Sequence, residues 1–252
     1  MENPRAIPKN PVLLIPARLA STRLPNKVLA EIGGKPMIVR VMERARDCGI
    51  GPVVIAASDQ QIVDAVEKAG GKAVLTDPNL ATGSDRIYAA LSAIDPDKKF
   101  DAVINVQGDE PMLEPHLITE AFDLLKNSAV DIGTLVIKIK NEEELKAPQC
   151  VKAVLEIKGG ETAGRALYFT RLPAPSGQGP HYRHIGLYAY RREALEKFVK
   201  APQGSLEKSE SLEQLRALGM GLRIDAALVD TLSFGIDTPE DLERARRMIG
   251  NK

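Results

Sequence analysis

Residues 13–27 read LLIPARLASTRLPNK, a buried-strand pattern that runs straight into three cations, Arg18, Arg23 and Lys27. The charged half holds no helical apolar period, and Pro16 and Pro25 restrain its backbone, so it is a loop and not the start of a helix. A loop leaving a strand with that charge either meets an anion or is a solvated surface turn. The position of its strand in the fold separates the two.

Outward from this stretch, short β-rich runs alternate with helical patterns. VLLIPA (12–17) is a strand, and PMIVRVMERARDCG (36–49) follows as a helix with Met37, Val41, Met42 and Ala45 on one face and Gly49 as its stop. PVVIAAS (52–58) is a second strand. Asp59 is placed to cap the next helix, whose apolar positions are Ile62, Val63, Val66 and Ala69 and which ends at Gly70 and Gly71. KAVLT (72–76) is a third strand, TGSDRIYAALSAI (82–94) is helical in its second half, and AVINVQGDE (102–110) begins as a strand and ends in acids. Strands alternating with single helices need right-handed crossovers, which build a mostly parallel sheet covered on both faces.

After residue 130 the rhythm changes. IGTLVIKI, CVKAVLEI, ALYFTR and HIGLYAY are longer strands separated by turns, LPAPSGQGPHYR (172–183) is a proline- and glycine-rich loop, and helices return at 191–200 and 206–218. LRIDAALV (222–229) is a late strand, and Pro239 starts a last helix. The expected fold class is α/β, a mostly parallel sheet with an antiparallel extension at about 130–190, in one domain spanning 1–252.

Composition excludes some functions. A chain of 252 residues, 44% hydrophobic and 27% charged, is ordinary globular material, and its net charge of +0 lacks the basic excess of a nucleic-acid binder. No apolar run approaches the ~20 residues that span a bilayer, and MENPRAIPKN does not read as a signal peptide. Cys48 and Cys150 follow no C-x-x-C spacing and read as reduced structural thiols, so the expected location is the cytoplasm.

The opening loop follows neither G-x-G-x-x-G nor the P-loop pattern, so any phosphate it holds meets side-chain charge: two guanidinium forks and one ammonium. VQGDEP (106–111) places Asp109 just past a strand end, and GIDTPEDLERAR places Asp237 just before a helix. Asp109 could be a turn residue only, and Asp237 a helix cap only. Beside a polyphosphate, two such carboxylates suit Mg²⁺, which takes one or two carboxylates plus phosphate oxygens and water.

Seven motifs, IPARLASTRLPNKVL…IGGKPMI, ATGSDR, NVQGDEPM, ALYFTR, RHIGLYAYRREAL, LEQLRAL and DTPEDLERAR, resemble in order those of the CMP-Kdo synthetase (3-deoxy-manno-octulosonate cytidylyltransferase) family, from about residue 12 to 248. The resemblance implies a Rossmann-like nucleotide-diphosphosugar-transferase fold, Mg²⁺ dependence and a homodimer whose β-rich extension serves dimerisation and sugar binding. The implied reaction joins CTP to the acidic sugar 3-deoxy-D-manno-octulosonate (Kdo), releasing pyrophosphate, for lipopolysaccharide. It implies catalytic roles for Arg18, Lys27, Asp109 and Asp237, the two acids as metal ligands. It implies nucleotide contacts from Arg18, Ser21, Arg23, Lys27, Thr82, Gly83, Ser84, Arg86 and Gln107. The implied sugar contacts are Gln107, Arg171, His184, Tyr188, Glu210, Glu213 and Gln214. The same chemistry on an 8-amino analogue or on another acidic sugar, as in a CMP-sialate synthetase, and a regulator that binds CTP without turnover, are the alternatives.

Physical chemistry is consistent with several of these roles. Arg171 ends a strand-like run and suits a bidentate carboxylate contact. His184 and Tyr188, four apart on a strand, share a face, whereas His181 faces the other way, which argues against an H-x-x-H metal pair. On a continuous 206–218 helix, Glu210, Glu213 and Gln214 lie opposite Leu212, Leu215 and Leu218. No Ser/His/Asp or Cys/His constellation is evident, so a covalent enzyme intermediate is not expected.

Overall fold

A computed structural model describes residues 5–21, 24–232 and 234–250. In chain order the elements are β1 (Pro11–Ala17), β2 (Glu31–Ile32), β3 (Lys35–Pro36), α1 (Met37–Asp47), β4 (Val53–Ala57), α2 (Gln60–Lys68), β5 (Ala73–Leu75), α3 (Gly83–Ile94), β6 (Ala102–Asn105) and α4 (Pro115–Asp123). There follow β7 (Ile132–Lys138), α5 (Glu142–Lys146), β8 (Lys152–Glu156), β9 (Ala163–Thr170), β10 (Tyr182–Arg191), α6 (Arg192–Lys200), α7 (Ser205–Glu210), α8 (Gln214–Gly219), β11 (Ile224–Val229) and α9 (Pro239–Gly250). The chain forms two compact units, residues 10–118 with 233–252, and residues 1–9 with 119–232.

In the first unit β5, β4, β1 and β6 lie side by side in that order, all parallel. Val12, Leu13, Leu14 and Ile15 of β1 are fully buried, as a strand covered on both faces requires. The two-residue strands β2 and β3, too short for any periodic signal, pair as a hairpin. A satellite core of Ile32, Met37, Ile236, Leu242 and Ala245 ties that hairpin to α9 and to the segment before it. Arg246 Nε reinforces the tie by donating to Glu31 O at 2.9 Å.

The second unit is the antiparallel extension, with one parallel pair. β10 pairs with β7 and, at Tyr182 and Arg183, with β8; β7 pairs with β11, β11 with β9, and β9 with β8, so the five strands close on themselves. Closure removes free strand edges without needing a sixth strand. At the closing contact Lys152 is fully buried, its ammonium donating to Ala147 O (3.0 Å) and Cys150 O (2.6 Å).

Three local expectations are corrected. The 82–94 segment is helical from Gly83, because Thr82 and Asp85 form a reciprocal capping box, Asp85 N donating to Thr82 Oγ1 and Thr82 N to the Asp85 carboxylate (both 3.1 Å). Asp59 occupies the N-cap position of α2, but its carboxylate accepts from Leu19 N (3.3 Å) and Ser58 Oγ and makes no cap bond. The 206–218 helix is two helices, α7 and α8, broken where Ser211 turns left-handed at φ 53°. Glu210 therefore ends one helix while Glu213 and Gln214 open the next, and the expected shared face does not exist.

The break is held by a buried ion pair. Arg216 donates to both Glu207 oxygens, at 2.8 and 2.6 Å, and its guanidinium lies 4.7 Å over the Phe198 ring. The hydrogen bond from Arg216 holds the Glu207 carboxyl below its usual range. Removing one charge from a buried pair strands the other. Glu207→Gln is expected to cost about 3–5 kcal/mol in urea unfolding at pH 7, whereas Glu193→Gln on the exposed side of α6 should cost under about 1 kcal/mol.

Candidate active site

β1 is where the strand order of the first unit reverses, with β4 and β5 on one side and β6 on the other. In sheets of this kind the crevice opens beyond the strands' carboxyl ends at that reversal. The loop after β1 and the turn after β6 both run into it. The turn after β6 lies so close to the end of β1 that a Cβ on Gly108 would be 2.7 Å from Pro16 O, a contact real side chains do not make. Glycine at 108 thus sets where Gln107 and Asp109 stand.

The pocket formed there has a volume of about 490 Å³ and is lined by Arg18, Ser21, Lys27, Gln107, Asp109 and Asp237, with Thr82, Gly83 and Arg86 from α3 and its cap. Nine of the predicted site residues are therefore on one surface. Ser84 is buried and does not line it, and Arg23 lies outside the described residues. Arg86 is 2% exposed; its guanidinium donates to Thr76 Oγ1 (2.7 Å), Asp77 O (3.1 Å) and Pro78 O (3.3 Å), so it braces the 76–78 segment. Burial, and then the neighbouring Arg18 charge, lower its pKa. Val28, Leu80 and Ala81 form an apolar part of the wall that sequence reasoning missed, since nothing marks apolar loop residues as functional.

Lys27 heads a single 3₁₀ turn after Asn26, whose φ is 55°. Its Nζ lies 2.7 Å from Asp109 Oδ2 and 3.1 Å from Asp237 Oδ1. Burial alone would lower the lysine pKa, but the two carboxylates outweigh it and raise the value. Asp237 reaches this point because Ile236 N donates to Asp109 O at 2.9 Å, locking the two acidic segments together. The helix-cap role open to Asp237 is filled by others: Thr238 Oγ1 accepts from Asp241 N (3.2 Å), and the Asp241 carboxylate accepts from the backbone of Asp237 and Thr238.

No set of three or more His, Cys, Asp or Glu among the described residues is arranged to hold a metal. The pair Asp109–Asp237 supplies two hard oxygen donors around a point where a positive charge already sits. That donor set suits Mg²⁺ completed by phosphate oxygens and water, and suits no softer metal.

The sequence profile described as cytidylyltransferase matches residues 12–224. A 3-deoxy-manno-octulosonate cytidylyltransferase of Paramagnetospirillum magneticum is 54% identical over 239 residues, covering 95% of this chain and 97% of the relative. The chain belongs to the cytidylyltransferase family. The enzyme of the same description from Rhodospirillum rubrum is 53% identical over 250 residues, covering 99% of both chains. A solved structure of CMP:2-keto-3-deoxy-manno-octonic acid synthetase complexed with CTP superposes with a TM-score of 0.87 at 36% identity, covering 96% of this chain and 99% of its own. A 4-diphosphocytidyl-2C-methyl-D-erythritol synthase of Anaerococcus prevotii, at 14% identity and TM-score 0.63, shares the fold.

The remaining predicted residues of this cytidylyltransferase lie in the second unit, in two groups. His184 packs between Phe169 (4.9 Å between ring centroids) and Tyr188 (5.4 Å), across a bulge in β10 that keeps residues 184 and 188 on one face. Thr134 Oγ1 donates to Leu187 O at 2.8 Å and lies 3.0 Å from His184 Nε2, so the imidazole is anchored to β7. Burial pushes the His184 pKa down to about 3 and, with Glu213 nearby, pushes the Tyr188 phenol up. Gln214 is buried in α8. In the other group, Arg171 donates to Glu210 O (2.9 Å), Ser211 O and Pro148 O (3.2 Å each), while the Glu210 carboxylate accepts from Thr170 Oγ1 (2.9 Å) and Arg171 N (3.1 Å). Arg171 is thus spent on backbone carbonyls, a bracing use that its place at a strand end did not reveal.

Gly108→Ala is expected to raise KM for CTP while costing about 1–3 kcal/mol of stability, from forcing the turn after β6 away from β1; initial-rate kinetics and thermal unfolding read both. A second expectation concerns acid. His184 stays neutral in the native state to about pH 3, whereas the unfolded chain binds a proton below about pH 6.5. The unfolded state therefore binds more protons in that window, and stability should fall with falling pH by up to about 1 kcal/mol per unit. His184→Gln should flatten that slope in urea titrations between pH 6 and pH 4.

Proposed function

We propose that this chain is a 3-deoxy-manno-octulosonate cytidylyltransferase, acting on CTP and the acidic sugar Kdo as a cytoplasmic, Mg²⁺-dependent homodimer. The observation that carries the reading is the meeting of Lys27, Asp109 and Asp237 in the pocket beyond β1 and β6. Relatives over 50% identical along nearly the whole chain support the substrate pair.

The chemistry is a single in-line displacement. The anomeric oxygen of the sugar forms a bond to the α-phosphorus of CTP, the bond from that phosphorus to the pyrophosphate oxygen breaks, and the hydroxyl proton is released to solvent. Arg18 and Lys27 supply positive charge to the phosphate chain, and Arg86 supports them by adding charge from behind the wall and fixing the 76–78 segment. Asp109 and Asp237 are the residues that would hold Mg²⁺, which when bound neutralises phosphate charge and makes the attacking hydroxyl more acidic. His184 and Tyr188, whose imidazole and phenol are neutral, are the proposed contacts for the sugar's hydroxyls.

The test is pyrophosphate release with CTP, Mg²⁺ and a panel of Kdo, its 8-amino analogue and a sialic acid. Kdo is expected to give the highest kcat/KM, and preference for another acid would reassign the substrate. Asp109→Asn should keep the fold by circular dichroism and lower kcat by a factor of about 10²–10³. Near-normal turnover of that variant at saturating Mg²⁺ would remove Asp109 from the metal site.

A further inference from the structure

We propose that in the nucleotide-free protein the Lys27 ammonium closes the Asp109–Asp237 pair to divalent metal, so that metal enters only once a polyphosphate has drawn the lysine away. The inference rests on the reading of those acids as metal ligands and adds an order of events to it.

The geometry supports a closed pair. One ammonium bridges both carboxylates, at 2.7 and 3.1 Å, and its side chain is 12% exposed, against 29% for Asp109 and 48% for Asp237. The cation is thus the most protected member of the three. A divalent ion arriving alone would meet carboxylates that already accept from Lys27 through Asp109 Oδ2 and Asp237 Oδ1, and would sit beside an undisplaced positive charge. Two carboxylates against one ammonium leave a single negative charge, too little to hold a hard, strongly hydrated cation without further anionic donors.

The same residue is built to move. Its backbone is fixed, with Lys27 N donating to Leu24 O (3.1 Å) and Lys27 O accepting from Ala30 N (3.0 Å), while the four-carbon stem is free to pivot. The pocket that Lys27 lines also holds Arg18, Ser21 and Thr82, so a phosphate chain bound there offers the ammonium a second set of oxygens. Once the ammonium turns to those oxygens, both carboxylates are exposed together with new phosphate donors. Nucleotide and metal then bind with positive coupling, and by linkage each tightens the other equally.

Mn²⁺ binding, followed by the electron paramagnetic resonance signal of the free ion and by calorimetry, tests this on the full chain without nucleotide. Wild type is expected to bind weakly, and Lys27→Met to gain one site about ten-fold tighter or more. That site should disappear in the Lys27→Met/Asp109→Asn double variant. Circular dichroism and thermal melts check the fold, and Lys27→Gln serves if the Met variant does not fold. Wild-type binding as tight as that of Lys27→Met, and lost on Asp109→Asn, overturns the closure but leaves the metal ligands in place. A Lys27→Met site that survives Asp109→Asn, or no Mn²⁺ site in any variant, also overturns it. The metal assignment itself falls only if Asp109→Asn retains turnover.

Discussion

Two carboxylates from distant parts of the chain share one ammonium, and the rest of the first unit is arranged so that they can. Asp109 comes from the turn after β6, Asp237 from the segment before α9, and Lys27 from the loop after β1. Side-chain attraction alone is a weak organiser at a partly wet site. What fixes the three is backbone and core: the Ile236 N to Asp109 O bond, the satellite cluster in which Ile236 and Leu242 are buried, and the glycine at 108 that lets its turn lie against β1. Charge is brought together by apolar packing at one remove. Capping of α9 falls to Thr238 and Asp241 rather than to Asp237.

The second unit solves a different problem. Its strands are joined both by turns and by helical segments, α5 between β7 and β8 and α6 to α8 between β10 and β11, and strand edges left open would be free to pair with other chains. Closing five strands on one another removes those edges. The polar residues inside are satisfied one by one: Lys152 by two carbonyls, Glu207 by Arg216, and His184 by Thr134. Burial lowers the pKa of Lys152 and of His184, and the hydrogen bond from Arg216 lowers that of Glu207.

How much of this was legible in the sequence follows from the length scale of each signal. β1, β4, β5 and β6 were legible because buried parallel strands are short runs of consecutive apolar residues, and their alternation with α1 and α2 fixed the sheet type. The break at Ser211 was not, because a left-handed residue inside an otherwise helical pattern leaves the helical spacing of Leu212 and Leu215 just after it intact. The hairpin β2–β3 is shorter than any period. In the site, Arg18, Lys27, Asp109 and Asp237 were legible as charges after strands or before a helix. That Lys27 would stand between the acids was not, since it is separated from them by 82 and 210 positions and no local pattern encodes the approach. Arg86 and Arg171 show the converse: both read as ligand contacts, and both brace backbone carbonyls, because an arginine at a helix start or strand end looks the same in sequence whichever acceptor it finds.

The charges on the pocket wall carry the argument for a divalent ion further than the acids do. Arg18, Lys27 and Arg86 stand against Asp109 and Asp237, three cations to two carboxylates, a net of one positive charge among the described lining residues. A chain with no net charge cannot make up the difference from its general field, so neutralisation must be local. A polyphosphate in this pocket would bring several negative charges, far more than that surplus. Had the two acids been absent, the wall would match a phosphate chain better, and binding alone would be stronger. Two carboxylates beside the place where an anionic phosphate would lie agree with the proposal that they share a cation with it, which would turn a repulsive contact into a shared one.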